Sequence, residues 1–337
     1  MKKNIDKFRG CLIGGAAGDA LGYAIEFLKI NDITAHFGKS GITEYYLKNG
    51  LARISDDTQM TLFTAGAFFF GDNDQFPKEY LRLCYKDWYL TQKESFPVRD
   101  RAMHSELLQN SELFSRRAPG MTCIDAIRNG AEGTITNRIN DSKGCGGIMR
   151  VAPIGLFYTD KDPDGVKSAG YGGDAAAMTH SHDLGFIPAA AFTYIINALS
   201  KGETSLKRAV MESMDAVQKL YPASGYLDDF LAIIDDAIRY SESDTDDVFA
   251  LGELGEGWVA EETLAIAVYC ALKYQNDFDM ALRVSVNHSG DSDSTGAVTG
   301  NILGTLIGYE AIPEKYKTNL ELHDLIIKVA DKLYEKA

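Results

Sequence analysis

Cysteine is scarce and unpaired in this chain. Cys11, Cys84, Cys123, Cys145 and Cys270 are odd in number, widely separated and form no CxxC pair. Neither a disulfide framework nor a thiolate zinc site can therefore organise the fold, and a reducing cytoplasm is the expected compartment. Positive charge is also in deficit: 34 Lys and Arg stand against 48 Asp and Glu, a formal net charge of −14. With no Lys/Arg stripe to release counterions from a nucleic-acid backbone, nucleic acid is not an expected partner, whereas divalent cations are natural ones. Long hydrophobic runs are missing too. None approaches the roughly 18 apolar residues of a membrane span, so no membrane partner is expected. The opening MKKNIDKFRGCLIGGAAGDA is interrupted by glycines and Asp19 and reads as mature, soluble chain.

Familiar chemical signatures are absent as well. There is no GxSxG nucleophile elbow, and no cysteine sits in a recognisable nucleophile motif. The GKS at Gly38 to Ser40 lacks the upstream glycine of a P-loop, Ile33 standing in its place. No linker rich in Pro, Gly and Ser divides the chain, and no period of 20 to 50 residues repeats.

What is present is helical periodicity in a chain that is 45% hydrophobic. Ile5, Phe8 and Leu12 share one helical face, as do Leu227, Phe230, Leu231 and Ile234. Leu264, Val268 and Leu272, and then Leu325, Ile326, Val329 and Leu333, repeat the pattern. The one strand candidate, Ile42 to Leu51, reads equally as a hairpin or a loop, and the acidic Ser241 to Asp247 reads as a solvated loop. A single all-α domain spanning 1–337 is the expectation. Small residues recur at GGAAGDALG, Gly14 to Gly22, and at Gly296, Gly300, Gly304 and Gly308. Glycine costs about 1 kcal/mol per helix position against alanine, and close helix packing at the centre of a bundle would compensate.

Two acidic clusters stand before apolar helical runs: Ser55, Asp56 and Asp57, and Asp291, Asp293 and Ser294 within NHSGDSDSTGA. Taken alone, the first is adequately explained as a helix cap, whereas the same reading of the second is incomplete, because one cap needs one side chain and this stretch supplies four. An EF-hand loop is excluded for the second, because the bidentate glutamate of position 12 is replaced by Ile302. If the two helix starts converge, however, four carboxylates would repel unless cations lay among them, and oxygen-only ligands suit Mg²⁺ or Mn²⁺. Asp19, and Glu26 placed near the end of the same helix, fit a site around such cations or an ordinary helix end. The glycines of KGCGGIMRVAPIG, Lys143 to Gly155, admit either phosphate approach or a tight turn. His180 and His182 form an HxH whose flanks look helical, which disfavours a zinc hydrolase site.

The stretches GCLIGGAAGDALGYAIE, SDDTQMTLFTA, RAPGMTCIDAIRNG, GCGGIMRVAPIGL, THSHDLG, GEGWVAEETLAIA and NHSGDSDSTGAVTGNILG run in order from residue 10 to about 304. With them the chain resembles the ADP-ribosylglycohydrolase family. The resemblance implies an all-α fold with two Mg²⁺ or Mn²⁺ ions at helix N-termini, held by Ser55, Asp56, Asp57, Asp291, Asp293 and Ser294. The family commonly has Thr at the first of these positions, and Ser55 keeps the hydroxyl. It further implies catalytic roles for Glu26, Asp56 and Asp293, with Asp100 as an alternative carboxylate for proton transfer grouped among the substrate contacts. His180 falls near the ADP-ribose, and Gly144, Cys145, Gly146 and Gly147 on the loop that holds its diphosphate and distal ribose. Cys145 replaces the Asn of some relatives, and Trp258 falls near the adenosine end. The implied activity is cleavage of the N- or O-glycosidic bond at C1″ of ADP-ribose on a protein side chain or small conjugate, by a monomer. The alternatives are a non-catalytic ADP-ribose binder, or a dimetal hydrolase of another nucleotide-like substrate.

Overall fold

The computed structural model describes residues 3–70, 76–99 and 102–337. Among the described residues the chain forms α-helices joined mostly by short connections, with longer ones between α4 and α5 and between α5 and α6, and one minimal hairpin. The first half contains α1 (Ile5–Gly22), α2 (Ile30–Phe37), the strands β1 (Leu47–Lys48) and β2 (Leu51–Ala52), α3 (Asp56–Ala67), α4 (Lys78–Lys93), α5 (Met121–Arg128) and α6 (Ala152–Phe157). Then follow α7 (Val166–Ala177), α8 (Asp183–Ser200), α9 (Leu206–Leu220), α10 (Leu227–Ser241) and α11 (Asp247–Leu254). The chain closes with α12 (Ala260–Lys273), α13 (Phe278–Val286), α14 (Ser292–Ile307) and α15 (His323–Lys336).

The glycines explain how the centre is built. Gly10, Gly14, Gly18 and Gly22 recur every fourth residue of α1 and meet Gly304, Gly300, Gly296 and Ser292 of α14 in reverse order, so the two helices lie antiparallel with their backbones touching. A Cβ on Gly18 would stand 1.9 Å from the carbonyl oxygen of Gly296, and one on Gly300 1.9 Å from that of Gly14. Because the helices are antiparallel, the end of α1 is delivered to the start of α14, and this brings the turn carrying Glu26 beside the second acidic cluster. Gly308 ends the stripe: a Cβ on Gly10 would stand 2.8 Å from its carbonyl carbon and a Cβ on Gly308 would meet the Asp6 carboxylate of α1, while its φ of 83° caps α14. Replacing Gly300 by Ala is expected to destabilise the protein by about 3 kcal/mol through overpacking against rigid backbone. That outweighs the about 1 kcal/mol an alanine gains in a helix interior. Thermal unfolding measures it, and a variant as stable as the wild type would refute the close contact.

Helix α3 starts where two elements cap it at once. The Ser55 side chain accepts from Asp57 N at 3.1 Å. Asp19, fully buried on α1, accepts from Ser55 N at 2.9 Å, from Thr58 N at 3.1 Å and from the Thr58 hydroxyl. Asp19 therefore ties α1 to α3. Burial pushes its carboxyl up to about 6, against the opposing hydrogen bonds from Thr58 and Ser55.

Three expectations need correction, and a fourth, left open between hairpin and loop, is decided. Glu26 is not on the first helix, which ends at Gly22; it lies in the turns beyond, where Ile25 N bonds to Gly22 O and Leu28 N to Ile25 O. The segment Ile42 to Leu51 pairs only at its end, Leu47 with Ala52 and Lys48 with Leu51, across Asn49 and Gly50 with φ of 56° and 79°, the signs a primed hairpin turn requires. Asp247 is not solvated loop: it opens α11, and its carboxylate accepts from Tyr269 Oη (2.6 Å), Lys273 Nζ (2.9 Å) and Tyr274 Oη (2.7 Å). Finally, α8 is 18 residues long with a mean hydropathy of 1.2, enough by length and composition to cross a bilayer, yet 83% of it is buried within the protein. An all-round apolar helix of this kind is what the centre of a helical core requires.

Candidate metal and ligand site

Three helix ends meet at one cleft. The start of α3 supplies Asp56 and Asp57, the start of α14 supplies Asp291, Asp293 and Ser294, and the turn after α1 supplies Glu26. All five carboxylates are buried. One oxygen each from Glu26, Asp291 and Asp293 lie within 4.8 Å of one another. Asp291 caps α14, its Oδ1 accepting from Ser294 N at 3.4 Å, and Asp293 Oδ1 accepts from the same amide at 3.0 Å. The cap explanation of the second cluster thus accounts for one oxygen each of Asp291 and Asp293, and both residues also line the cleft.

The electrostatics of this arrangement are unfavourable without cations. Among the described residues lining the cleft there is no Lys or Arg. Glu26 Oε2 and Asp57 Oδ2 are buried with no hydrogen-bond partner. Burial, with Asp291 and Asp56 beside it, pushes the Glu26 carboxyl up to about 9. Burial first, then neighbouring carboxylates, raises Asp56, Asp57 and Asp293 well above the ordinary carboxylate range. Helix N-termini offset part of this repulsion, but only by a fraction of a unit charge each. Orphaned carboxylate oxygens in an all-oxygen donor set fit hard divalent cations such as Mg²⁺ or Mn²⁺.

Ser55 stands apart from this group. It is fully buried, its side chain is engaged with Asp57 N, and it does not line the cleft. Ser294 does line it.

The cleft measures about 350 Å³. One wall is Gly144, Cys145 and Gly146, where Cys145 to Gly147 form a single 3-10 turn. This turn is pinned to the segment before α12: Cys145 N bonds to Trp258 O at 3.2 Å and Ala260 N to Lys143 O at 2.8 Å. The Cys145 thiol donates to Asp291 Oδ2 at 2.8 Å. Gly147 lies behind the cleft, where a Cβ would stand 3.0 Å from Gly185 O. His180 reaches the cleft, whereas His182 caps α8 through Nδ1, which accepts from Leu184 N at 3.0 Å, and packs on Tyr226. The two histidines therefore do not form a metal pair. Trp258, 38% exposed, stands at the mouth with Phe27, 72% exposed, their rings stacked at 6.2 Å and 19°. Asp100 lies outside the described residues.

The other wall was not assigned from sequence: Ala118 to Thr122, Cys123 and Met149 line the cleft, as does Phe27. Its lip depends on a buried ion cluster equally hidden in the sequence. Glu321 accepts from Ile54 N at 3.1 Å, from Arg117 Nη2 at 2.6 Å and from Arg53 Nη1, while Arg117 O takes the Asp56 amide at 3.0 Å. Glu321 thus holds both approaches to Asp56. Asn319 and Leu322, beside it, have φ of 62°, a conformation that asparagine tolerates in turns but that is strained for leucine. The RAPGMTC stretch was a visible signal for the wall; for Glu321 no local signal exists.

Comparison with known proteins agrees with this geometry. The family model described as ADP-ribosylglycohydrolase matches residues 1–337. An uncharacterized protein of Archaeoglobus fulgidus is 29% identical over 98% of this chain and 96% of its own. The ADP-ribosylarginine hydrolase Tri1 of Serratia proteamaculans is 25% identical over 99% and 81%, and the ADP-ribosylhydrolase ARH3 of Bos taurus 23% identical over 99% and 95%. Among solved structures, a chain of an ADP-ribosylglycohydrolase-related protein complex superposes with a TM-score of 0.65 at 21% identity, covering 100% of this chain and 99% of that one. That likeness establishes the shared fold.

Proposed function

Because the chain belongs to the ADP-ribosylglycohydrolase family, we propose that it is a metal-dependent hydrolase that cleaves the glycosidic bond at C1″ of ADP-ribose carried on a protein side chain or small conjugate. The observation that carries this reading is the convergence of five buried carboxylates on one cleft with no Lys or Arg among its described lining residues. Asp56, Asp57, Asp291, Asp293 and Ser294 would hold two Mg²⁺ or Mn²⁺ ions. When bound, such ions supply the Lewis acidity that makes a water nucleophilic near neutral pH.

The chain's own groups do the rest. Glu26 has an oxygen free of protein donors, and its environment favours a held proton at neutral pH until cations screen the cluster. It is therefore suited to exchange a proton at Oε2 with the attacking water or the leaving group. The glycines at 144 and 146 let a ligand approach backbone that side chains would otherwise cover, as a diphosphate needs. Trp258 and Phe27 offer an aromatic surface at the mouth for a base such as adenine.

The test is release of free ADP-ribose from ADP-ribosyl-arginine and ADP-ribosyl-serine peptides, with Mg²⁺ or Mn²⁺ and again with excess chelator. Release from at least one peptide that stops on chelation is the expected result, and it identifies the linkage. Metal-dependent binding of ADP-ribose with no release from any conjugate would instead make the protein a binding module.

A further inference from the structure

Directly behind the cleft lies a guanidinium for which the proposed reaction has no use. Arg150 is fully buried, and among the described residues no carboxylate pairs with it. Its Nη2 donates to Ala175 O at 3.3 Å and to the Thr179 hydroxyl, and its plane lies 4.5 Å over the Tyr85 ring. The Thr179 hydroxyl is in turn 2.8 Å from His180 Nδ1.

A threonine hydroxyl has one proton to give and two lone pairs to receive with, and arginine can only donate. Arg150 therefore occupies a lone pair of Thr179 Oγ1. The hydroxyl proton has two destinations within reach, His180 Nδ1 at 2.8 Å and Ala176 O at 3.5 Å. Ala176 O already accepts from Thr179 N at 3.1 Å and His180 N at 2.9 Å, which fills its two lone pairs. The nearer and otherwise unoccupied acceptor, Nδ1, is the favoured destination, and it receives the proton only when unprotonated itself.

We propose that Arg150 and Thr179 form a relay that fixes His180 as the neutral tautomer protonated on Nε2, so that the ring presents an N–H donor to the cleft and neither a base nor a metal ligand. Burial and the positive charge of Arg150 oppose a second proton, pushing His180 down to about 3. Access to the donor is kept open by two glycines: a Cβ on Gly146 would stand 3.2 Å from Nε2, and one on Gly144 3.5 Å. The complementary ligand group is an oxygen acceptor, a phosphate or ribose oxygen, in keeping with the proposed function on which this inference rests. Arg150 and Thr179 are positioning residues in this scheme, acting only through His180.

The test uses the full chain labelled with ¹⁵N-histidine in Mg²⁺, with His180→Gln to assign the ring. The wild-type spectrum is expected to show Nε2 protonated and Nδ1 bare; a protonated Nδ1 would overturn the relay. Thr179→Val removes the hydroxyl at nearly constant volume. It is expected to shift the ring toward the other tautomer and raise KM for an ADP-ribosylated peptide about tenfold, the scale of one lost hydrogen bond, with kcat little changed. Thr179→Ser, which keeps the hydroxyl, should behave as wild type in both readouts; equal KM values for the Val and Ser variants would also overturn the proposal. Should the Val variant not fold, the wild-type spectrum decides alone. If no ADP-ribosyl conjugate is hydrolysed, the functional reading falls, while the spectrum still decides the relay.

Discussion

Asp56→Ala and Asp293→Ala are each expected to abolish turnover, by about 10²–10³-fold or more, the loss seen when one preorganised electrostatic group is taken from an active site. Both variants should still fold. The start of α3 keeps the caps from Ser55 and Asp19 when Asp56 is truncated, and α14 keeps its Asp291 cap when Asp293 is. In chelator, each variant should be at least as stable as the wild type, because one of several mutually repelling buried carboxylates is gone. Melting curves with and without chelator, read beside ADP-ribose release, check both halves. Full activity in either variant would remove that residue from the metal site, and collapse of the fold would show that the carboxylate is structural.

Chelation should also make stability pH-dependent in a definite direction. Burial lifts the carboxyls of Glu26, to about 9, and of Asp56, Asp57 and Asp293 above their unfolded values near 4. Between those limits the folded chain binds more protons than the unfolded one, so its stability falls as pH rises. Three histidines, His182 among them, act oppositely at lower pH. His180 and His288 are pushed down to about 3 and about 4 by burial, so the folded chain resists their protonation and loses stability as pH drops below about 6.5. The window free of the histidines is therefore pH 7 to 9, where the five buried thiols, raised by burial, act in the same direction as the carboxylates. Across it the unfolding temperature in chelator should decline, and saturating Mg²⁺ or Mn²⁺ should restore it by an amount that grows with pH. A ligand at about 1,000 times its Kd contributes about 4 kcal/mol, enough to resolve by scanning calorimetry. A metal-induced shift independent of pH, or larger at pH 7 than at pH 9, would contradict the picture of cations neutralising these carboxylates.

Much of the fold and part of the site could be read from residue order. Helical periodicity survives translation into structure because the same side-chain spacing that marks a segment as amphipathic also buries it. The Gly296, Gly300 and Gly304 stripe announced a close helix contact, since nothing else offsets so many glycines in one helix. Its partner, Gly10, Gly14, Gly18 and Gly22, could not be paired with it, because the two lie nearly the whole chain apart and contact between them is a property of three dimensions. Glu26 was singled out as a candidate carboxylate, but its place in a turn was not, since the helix was expected to reach it and instead ends at Gly22.

By itself, the sequence determined the all-helical class, the two acid clusters at helix starts, and the oxygen-only chemistry they offer, because each depends on residues close together in the chain. Only the tertiary structure decided which acids share a cleft, that Asp19 and Ser55 cap α3 without lining it, that Gly147 and His182 lie outside it, and that Glu321 and Arg150 stand behind it. Carboxylate repulsion, burial and hydrogen-bond competition depend on distances of a few ångströms between residues hundreds of positions apart, and those distances exist only once the helices have packed.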